Sequence, residues 1–326
     1  MTLRTAAGAT VGRIGFGCFA LSGGYGSAEG VDAPSLLRTA LELGINLFDT
    51  SDAYAAGQNE QIVGRAMAGI RDRVYLTTKF GWVLGENGVP VRRDSSPAYV
   101  RQACESSLKR LDTDRIDLYL QHRRDPETPV EATVEELVRL RDEGKIGAFG
   151  FCEVGAGTLA RAVSIAPVAA LQTEYSLWSR DPERELLPVC RRLGITFMAY
   201  SPLGRGFLTG SIRSSGDLET NDFRRTHPRF QEQNLRANLA FVDHLKSLAE
   251  GRGRTSAQLA LAWVLQQPSK ILPIVATRSG KHLAENARAL EIELDASELN
   301  AIAAAVPPEL IQGDRHPADH MKTIET

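Results

Sequence analysis

Four polar residues stand where short apolar segments end, and their types would suit one reaction. Asp49 ends NLFD, Lys79 ends VYLTTK and His122 ends IDLYLQH, while Tyr54 lies in the loop that follows Asp49. Reduction of a carbonyl group needs a hydride donor and an acid that protonates the oxygen as negative charge develops on it. A tyrosine with an ordinary pKa near ~10 is a reluctant acid. A neighbouring lysine ammonium is expected to lower that pKa by stabilising the phenolate.

Each member of this set would have its own task. A buried lysine tends to lose its proton, so a carboxylate such as Asp49 is needed to keep Lys79 charged. His122 would hydrogen-bond the carbonyl oxygen and orient it. Taken singly, each residue is more simply explained as a helix cap, a solvated charge or a packing group. The set can do chemistry only if the fold brings its members together.

The elements that must position them alternate between short β-rich segments and longer segments of helical period. IDLYLQ and ITFMAY are apolar without alternating polarity, which is typical of buried parallel strands. We predict eight strands, over residues 13–17, 46–49, 74–78, 116–121, 146–151, 169–173, 196–200 and 271–274. We also predict amphipathic helices that include residues 35–43, 97–111, 130–143, 185–193 and 255–266. This order predicts an α/β fold, a (β/α)8 TIM barrel that forms a single domain over residues 1–326, with its chemistry at the carboxyl ends of the strands.

Two segments interrupt the alternation. A long irregular loop is predicted over residues 204–234, after the seventh strand, and a polar tail over residues 307–326. Long loops at the mouth of a barrel commonly act as lids or binding loops, and mobile surface is the alternative. The sequence assigns no role to His316 in the tail.

Composition and absent motifs exclude several classes of function. A net charge of −2 gives no electrostatic reason to bind nucleic acid or a lipid surface. The four cysteines form no CxxC pair and the chain has only six histidines, so we expect no metal site. No signal peptide, long apolar run, Walker A, HExxH or GxSxG pattern appears, and GFGCFA stops short of a Rossmann fingerprint. We therefore expect a cytoplasmic protein.

Longer segments carry a resemblance to a known family. NLFDTSDAYAAGQNEQIVGRAM, LTTKFG, RLDTDRIDLYLQHRRDPETPVEATVEEL, EGKIGAFGF, LQTEYSLWSRDPERELLPVCRRLGITFMAYSPLGRGFLTG, DFRRTHPRFQEQNL and IVATRSGKHLAENARAL together resemble the aldo-keto reductases. The resemblance covers nearly the whole chain in the family's order. It is strongest to the branch that includes perakine reductase-like and pyridoxal reductase-like enzymes. It implies the (β/α)8 fold, a preference for NADPH, and a catalytic tetrad of Asp49, Tyr54, Lys79 and His122.

The resemblance also implies where NADPH is held. Tyr200 would stack on the nicotinamide and Gln172 would bond its carboxamide, while residues 201–206 would approach the pyrophosphate. Arg278, before a helix whose N-terminus favours phosphate, would grip the 2′-phosphate, and Glu285 with Asn286 would meet the adenine. The expected cofactor-binding residues are Cys152, Glu153, Gln172, Tyr200, Ser201, Pro202, Leu203, Gly204, Arg205, Gly206, Ala276, Thr277, Arg278, His282, Glu285 and Asn286.

The chain departs from the family pattern at several positions. Cys152 stands where serine is common, so a contact to the carboxamide is expected to weaken, because a thiol is a poor hydrogen-bond donor. Ala276 stands where glycine is usual, and His316 where the branch often has tyrosine. Phe19 is expected to narrow one edge of the pocket.

Substrate recognition is less constrained by the sequence. Phe19, Trp82, Arg123 and Trp178 are the candidate pocket walls, since each follows a predicted strand. Aromatic walls suit an apolar or aromatic aldehyde, whereas Arg123 would meet an anionic group; Trp82 and Trp178 could equally be loop anchors. The expected partner is a small carbonyl compound. Two alternatives to carbonyl reduction are an NADP(H)-sensing module like the potassium-channel β-subunits, and an alcohol or sugar dehydrogenase running the reverse reaction.

Overall fold

Eight parallel strands close into a barrel in the computed structural model, which describes residues 2–325 and leaves Met1 and Thr326, the ends of the predicted domain, outside the described residues. The strands are β1 (Thr2–Arg4), β2 (Thr10–Gly12), β3 (Gly15–Gly17), β4 (Leu47–Asp49), β5 (Tyr75–Phe80), β6 (Trp82–Leu84), β7 (Pro90–Arg93), β8 (Ile116–Gln121), β9 (Ile146–Cys152), β10 (Ala170–Glu174), β11 (Thr196–Tyr200) and β12 (Ile271–Val275). The barrel runs β3, β4, β5, β8, β9, β10, β11, β12, and β12 pairs with β3 to close it. The predicted (β/α)8 barrel is therefore confirmed, and no predicted strand end differs from the observed one by more than two residues.

Helices cover the outside of the barrel. They are α1 (Ala33–Glu42), α2 (Gln58–Ala66), α3 (Pro97–Leu111), α4 (Val130–Asp142), α5 (Ala156–Ile165), α6 (Leu186–Leu193), α7 (Glu232–Glu250), α8 (Ser256–Leu265), α9 (Gly280–Ala287), α10 (Ala296–Ala304) and α11 (Ala318–Met321). Local sequence sets several of their starts. The Ser96 side chain accepts from the Tyr99 amide with Pro97 in the first turn, and Thr255 forms a reciprocal capping box with Gln258.

Two hairpins lie outside the barrel, and neither was predicted. β1 and β2 pair in antiparallel fashion before the first barrel strand, and the Ala6 amide donates to the Thr196 hydroxyl at the start of β11. β6 and β7 pair directly after β5, which places Trp82 beside the barrel mouth. Their strands have three or four residues, and each strand contains exposed or half-buried residues, so they lack the pattern by which buried strands are recognised.

The predicted loop and tail are more ordered than expected. The segment after β11 is a chain of short 3-10 turns, Gly204–Thr209, Ser215–Asp217, Phe223–Thr226 and Pro228–Phe230. The prediction of an irregular loop as far as Asn234 is wrong at its end, because α7 begins at Glu232. The tail contains the turn Pro308–Leu310 and the helix α11, and its middle is buried against the barrel mouth.

Two apolar clusters hold these layers together. The smaller one fills the barrel and includes Leu47, Leu118, Met198 and Leu272. The larger one lies between the barrel and its helices, as layered packing requires. Within residues 2–325, no helix has the length and apolar composition needed to cross a bilayer.

Candidate active site

The fold brings the four predicted catalytic residues together at the carboxyl ends of β4, β5 and β8. The Lys79 ammonium, fully buried, lies 2.6 Å from Asp49 Oδ2 and 3.2 Å from the Tyr54 hydroxyl oxygen. It also donates to the Thr50 carbonyl at 2.7 Å. The His122 ring lies 5.9 Å from the Tyr54 ring, centroid to centroid. Strand ends separated by many residues thus form one cluster.

The electrostatics of the tyrosine differ from the expectation. Burial raises the pKa of Tyr54 to about 12, and the nearby Lys79 ammonium lowers that pKa only in part. Burial also acts to lower the pKa of Lys79, but its contact with Asp49 leaves that pKa above the ordinary value. Lys79 thus acts on the Tyr54 pKa in the expected direction, but desolvation of the phenolate outweighs one ammonium. The phenol stays protonated and the lysine charged at neutral pH.

His122 is held in a neutral form. Burial lowers its pKa well below the ordinary value, and the charges of Arg123 and Lys79 lower it further. Its Nδ1 lies 3.1 Å from the Ser51 hydroxyl oxygen. Because that contact occupies one ring nitrogen, Nε2 is the nitrogen free to meet a bound group.

Strained backbone surrounds the same edge of the barrel. Ala55 and Ala56, directly after Tyr54, have φ of 47° and 51°, and Glu153, Ser201 and Arg205 have φ of 53°, 50° and 54°. Non-glycine residues avoid this left-handed region, and those that adopt it tend to cluster where a fold binds or reacts. All five lie in the segments that follow β4, β9 and β11.

A cavity of about 640 Å³ opens where the segments after β11 and β12 meet the first loop. The predicted cofactor-binding residues that line it are Ser201, Pro202, Leu203, Arg205, Gly206, Ala276, Thr277, Arg278, His282, Glu285 and Asn286. Sequence reasoning missed other lining residues, namely Ala20, Tyr25, Thr209, Ser211, Arg224, Thr255, Ala257, Ile274, Val275 and Ser279. Half of the missed residues come from the first loop and from helix starts, and the others from β12 and the segment after β11, all of which face the cavity only in the folded barrel. The cavity size is that of a ligand pocket.

Contacts across the cavity join its two sides. Arg278 Nη2 donates to the Tyr25 carbonyl at 2.9 Å and lies 4.0 Å from Glu219 Oε1. The Arg224 guanidinium lies over the Tyr25 ring, 4.8 Å from its centroid. The Phe223 amide donates to the Gly24 carbonyl at 2.9 Å. The first loop and the loop after β11 therefore form a bridge at the edge of the cavity.

The remaining predicted cofactor residues do not line the cavity. Cys152 is buried at the end of β9, and burial raises the pKa of its thiol to about 12. Gln172 donates to Asp49 Oδ1 at 2.9 Å, next to the predicted catalytic residues. Tyr200 donates its hydroxyl to Glu153 Oε1 at 2.6 Å. Gly204 packs so closely on Trp178 that a Cβ there would lie 2.8 Å from the indole.

Two buried ion pairs were not predicted from the sequence. Arg205 binds Glu174 with both terminal nitrogens, at 3.1 and 2.6 Å, so its side chain faces this carboxylate although Arg205 was expected to serve the cofactor. Arg315, in the tail, binds Glu153 with both terminal nitrogens at 3.0 Å. The one sequence feature that could have indicated such a pair is the position of Glu174 at the end of an apolar strand. The sequence of the tail contains no such feature.

His316 joins these two pairs. Its Nε2 lies 3.2 Å from the Tyr200 hydroxyl and 3.3 Å from Arg205 Nη2. Burial lowers its pKa to about 2, although Glu174 acts in the opposite direction. The contact with Glu174 at 3.6 Å is therefore between a neutral imidazole and a carboxylate at neutral pH, and the tail is tied to Tyr200 by hydrogen bonds.

The predicted substrate residues separate into two groups. Phe19 lies 4.9 Å from the Tyr54 ring, and Trp82 stacks on His320 of the tail at 6.2 Å, both by ring centroids. Arg123 follows His122 directly. Trp178 is instead a packing residue, because it is buried and stacks on Phe207 at 4.0 Å; the prediction of Trp178 as a pocket wall is wrong.

Comparison with known proteins completes the description of the site. A sequence model of the Aldo/keto reductase family matches residues 13–307. A probable aldo-keto reductase 1 from Glycine max is 43% identical over 312 residues, which cover 95% of this chain and 89% of that protein. The glycerol dehydrogenase of Gluconobacter oxydans superposes with a TM-score of 0.84 at 32% identity, covering 94% of this chain and 96% of that one. An aldo-keto reductase of Klebsiella pneumoniae, solved in complex with NADPH, gives a TM-score of 0.72 at 32% identity and covers 94% and 95%.

Proposed function

Because this chain belongs to the aldo/keto reductase family, we propose that it reduces an aldehyde or ketone to an alcohol with NADPH, with Tyr54 as the proton donor. The observation that carries the proposal is the buried contact of the Lys79 ammonium with both Asp49, at 2.6 Å, and the Tyr54 hydroxyl, at 3.2 Å. A buried cation at that position stabilises the negative charge that forms on Tyr54 when its proton leaves.

The chain's own residues divide the reaction between them. NADPH, when bound, supplies the hydride to the carbonyl carbon. Tyr54 donates its proton to the carbonyl oxygen, and Lys79 stabilises the phenolate that results. Asp49 keeps Lys79 protonated, and neutral His122 donates a hydrogen bond that orients the carbonyl. Gln172 holds the Asp49 carboxylate in place by donating a hydrogen bond to its Oδ1.

The residues around the cavity fit a phosphate-bearing cofactor. Arg278 and Arg224 bring positive charge to its walls, and hydroxyl groups such as that of Thr277 line it. Gly206 has φ of 92°, and a Cβ there would lie 3.2 Å from the Arg224 guanidinium, so only glycine leaves this backbone open to close approach. The Klebsiella pneumoniae relative solved with NADPH supports the same choice of cofactor. We assign Arg278 to the 2′-phosphate, Glu285 and Asn286 to the adenine, and Tyr200 to the nicotinamide.

We also propose the branch of the family to which this chain belongs and the direction of its reaction. The motif segments favour the perakine reductase-like and pyridoxal reductase-like branch. The four-residue cluster supports turnover rather than a sensing role of the potassium-channel β-subunit type. Similarity to the Gluconobacter oxydans glycerol dehydrogenase favours one second candidate, the reverse reaction, in which the Tyr54 phenolate accepts a proton from an alcohol.

A direct assay tests the proposal. Purified protein is mixed with NADPH and each of three carbonyl compounds: pyridoxal, para-nitrobenzaldehyde and methylglyoxal. We expect at least one to cause loss of the near-ultraviolet absorbance of NADPH. Tyr54→Phe should lower kcat by more than about a hundredfold, since general acid catalysis contributes about that much or more. The same variant should keep its affinity for NADPH, measured by calorimetry, because the hydroxyl is not among the cavity walls.

The controls separate chemistry from folding. Tyr99→Phe removes a hydroxyl that donates to the Trp82 carbonyl at 2.9 Å outside the catalytic cluster, and it should keep most of the activity. Constant absorbance with all three compounds, and with NADP+ and simple alcohols in the reverse direction, would contradict the proposed function. Full turnover by Tyr54→Phe would remove Tyr54 from the mechanism.

A further inference from the structure

Arg123 is a buried cation without a counter-ion. Its side chain and backbone are only 8% exposed, yet no carboxylate oxygen among residues 2–325 lies within 4.0 Å of its guanidinium nitrogens. Nη1 donates to the backbone carbonyl of His122 at 2.7 Å. Nε is buried without any partner, and Nη2 makes no hydrogen bond to any of residues 2–325. Burial of an unpaired charge is costly, so such a group is unusual unless it awaits a ligand.

Three other cations near the mouth of the barrel are paired with carboxylates. Lys79 binds Asp49 at 2.6 Å, Arg205 binds Glu174 at 2.6 Å and Arg315 binds Glu153 at 3.0 Å. The histidines of this region, His122, His316 and His320, all have lowered pKa values because they are buried, and they are neutral at pH 7. Of the cations of this region named so far, Arg123 is therefore the one without a carboxylate partner.

A second buried arginine shows what a purely structural arginine looks like in this protein. Arg229 is also 8% exposed and lacks a carboxylate partner within 4.0 Å. Its Nε donates to the Gly313 carbonyl at 3.1 Å, and its Nη1 donates to the Trp178 carbonyl and the Ser179 hydroxyl. Its guanidinium also lies over the Trp178 ring. Arg229 is thus satisfied by the protein, whereas Arg123 keeps unused donors.

Arg123 lies next to His122, the residue that we propose orients the carbonyl group. It follows His122, whose Nδ1 lies 3.1 Å from the Ser51 hydroxyl oxygen, so the unused donors of Arg123 lie next to the His122 ring at the end of β8. The charge of Arg123 lowers the pKa of His122 and of His320. Gly81 packs against the Arg123 backbone, where a Cβ would lie 3.1 Å from the carbonyl oxygen, and this contact holds the residue at the mouth.

We propose that Arg123 binds a carboxylate carried by the substrate, so that this enzyme acts on aldehydes or ketones with an acid group on the same molecule. The guanidinium fork matches the two oxygens of a carboxylate. One net positive charge suits a monoanion better than a phosphate dianion. The aromatic walls formed by Phe19 and by Trp82 with His320 accommodate the carbon skeleton between the two polar ends. The inference rests on the proposed carbonyl reduction and adds its substrate class.

The test compares two matched aldehydes, para-carboxybenzaldehyde and its methyl ester, with the NADPH-loaded enzyme. The wild-type protein should prefer the acid by about ten- to a hundredfold in kcat/KM, mainly through KM, which is the effect of one charge-assisted contact. Arg123→Met should remove the preference, because its kcat/KM for the acid should fall by about ten- to a hundredfold more than its kcat/KM for the ester. Arg124→Met is the matched control, because that guanidinium is paired with Glu325 at 3.1 Å. It should keep the preference for the acid.

A second measurement does not depend on turnover. Benzoate is titrated into the enzyme saturated with NADP+, and calorimetry should detect binding to the wild type and to Arg124→Met but not to Arg123→Met. Should Arg123→Met fail to fold, Arg123→Gln replaces it in both measurements. Equal kcat/KM for acid and ester in the wild type, or benzoate binding that survives loss of the guanidinium, overturns the carboxylate site. Inorganic phosphate binding as tightly as benzoate overturns the choice of a monoanion. Absence of turnover with both aldehydes while benzoate still binds through Arg123 counts against the reductase proposal alone.

Discussion

At the scale of single residues, Arg278 decides the choice between the two nicotinamide cofactors in our proposal. It lines the cavity, is partly exposed, and donates to the Tyr25 carbonyl at 2.9 Å. Arg278→Ala should raise the Kd for NADPH by about ten- to a hundredfold, since a guanidinium–phosphate contact is charge-assisted. The Kd for NADH, which has no 2′-phosphate, should change by less than about threefold. Fluorescence titration with both cofactors measures the two constants.

Lys281→Ala is the control for this prediction. Lys281 lies three positions further along the same segment, is exposed and is not among the cavity walls, so its loss tests the general effect of one positive charge. We expect both dissociation constants to stay within about twofold, because exposed charges interact weakly through water. If Arg278→Ala raised the Kd for NADPH and the Kd for NADH by the same factor, Arg278 would not bind the 2′-phosphate.

At the scale of elements, the tail is a structural part of the barrel mouth. Arg315 binds Glu153 with two bonds of 3.0 Å, and Glu325 accepts from the Gly155 amide at 3.0 Å. Arg315→Met should destabilise the fold by about 3 kcal/mol, at the lower end for a broken buried pair, because Glu153 keeps the Tyr200 hydroxyl as a donor. Urea denaturation measures the loss. The double variant Glu153→Gln with Arg315→Met should recover part of it, as no unpaired charge is then buried. A single variant as stable as the wild type would contradict this role of the tail.

At the scale of the whole molecule, we propose that residues 1–326 form one folding unit and that its stability falls in mild acid. Burial lowers the pKa of His227 to about 4 and that of His316 to about 2. Above about pH 6.5 both imidazoles are neutral in the folded and unfolded chain, so they contribute no pH dependence. Below it the unfolded chain takes up protons that the folded chain does not. The free energy of unfolding should therefore decrease as the pH falls towards 5, with a slope of up to ~1.4 kcal/mol per pH unit from each histidine.

Denaturation at a series of pH values checks this dependence. His316→Gln should reduce the slope of the unfolding free energy against pH, between about pH 6.5 and pH 5, by up to ~1.4 kcal/mol per pH unit, the contribution of one histidine. His244→Gln is the matched control, since His244 is exposed on α7, and it should leave the slope unchanged. An unaltered slope in His316→Gln would contradict the assignment of this pH dependence to the buried imidazole.

Local sequence was sufficient for the barrel and for the positions of its polar strand ends. Buried parallel strands are short apolar segments that stand between helical segments, and this pattern is readable without any partner. Asp49, Lys79 and His122 end such segments, so their common location follows from the topology alone. The exposed hairpin β6–β7 was missed because its short strands lack that pattern.

Tertiary structure decided everything that depends on which distant groups meet and on how much water they exclude. The partners in the pair of Glu153 with Arg315 are separated by 162 positions, and no local pattern connects a strand end with a polar tail. The Tyr54 pKa is raised rather than lowered because desolvation outweighs Lys79, and burial cannot be read from residue types. The sequence by itself determined the barrel and the four polar residues that its strand ends bring together. Only the folded structure decided that Trp178 is packing, that Arg205 faces Glu174, and that the buried Arg123 keeps unused donors and has no carboxylate partner among the described residues.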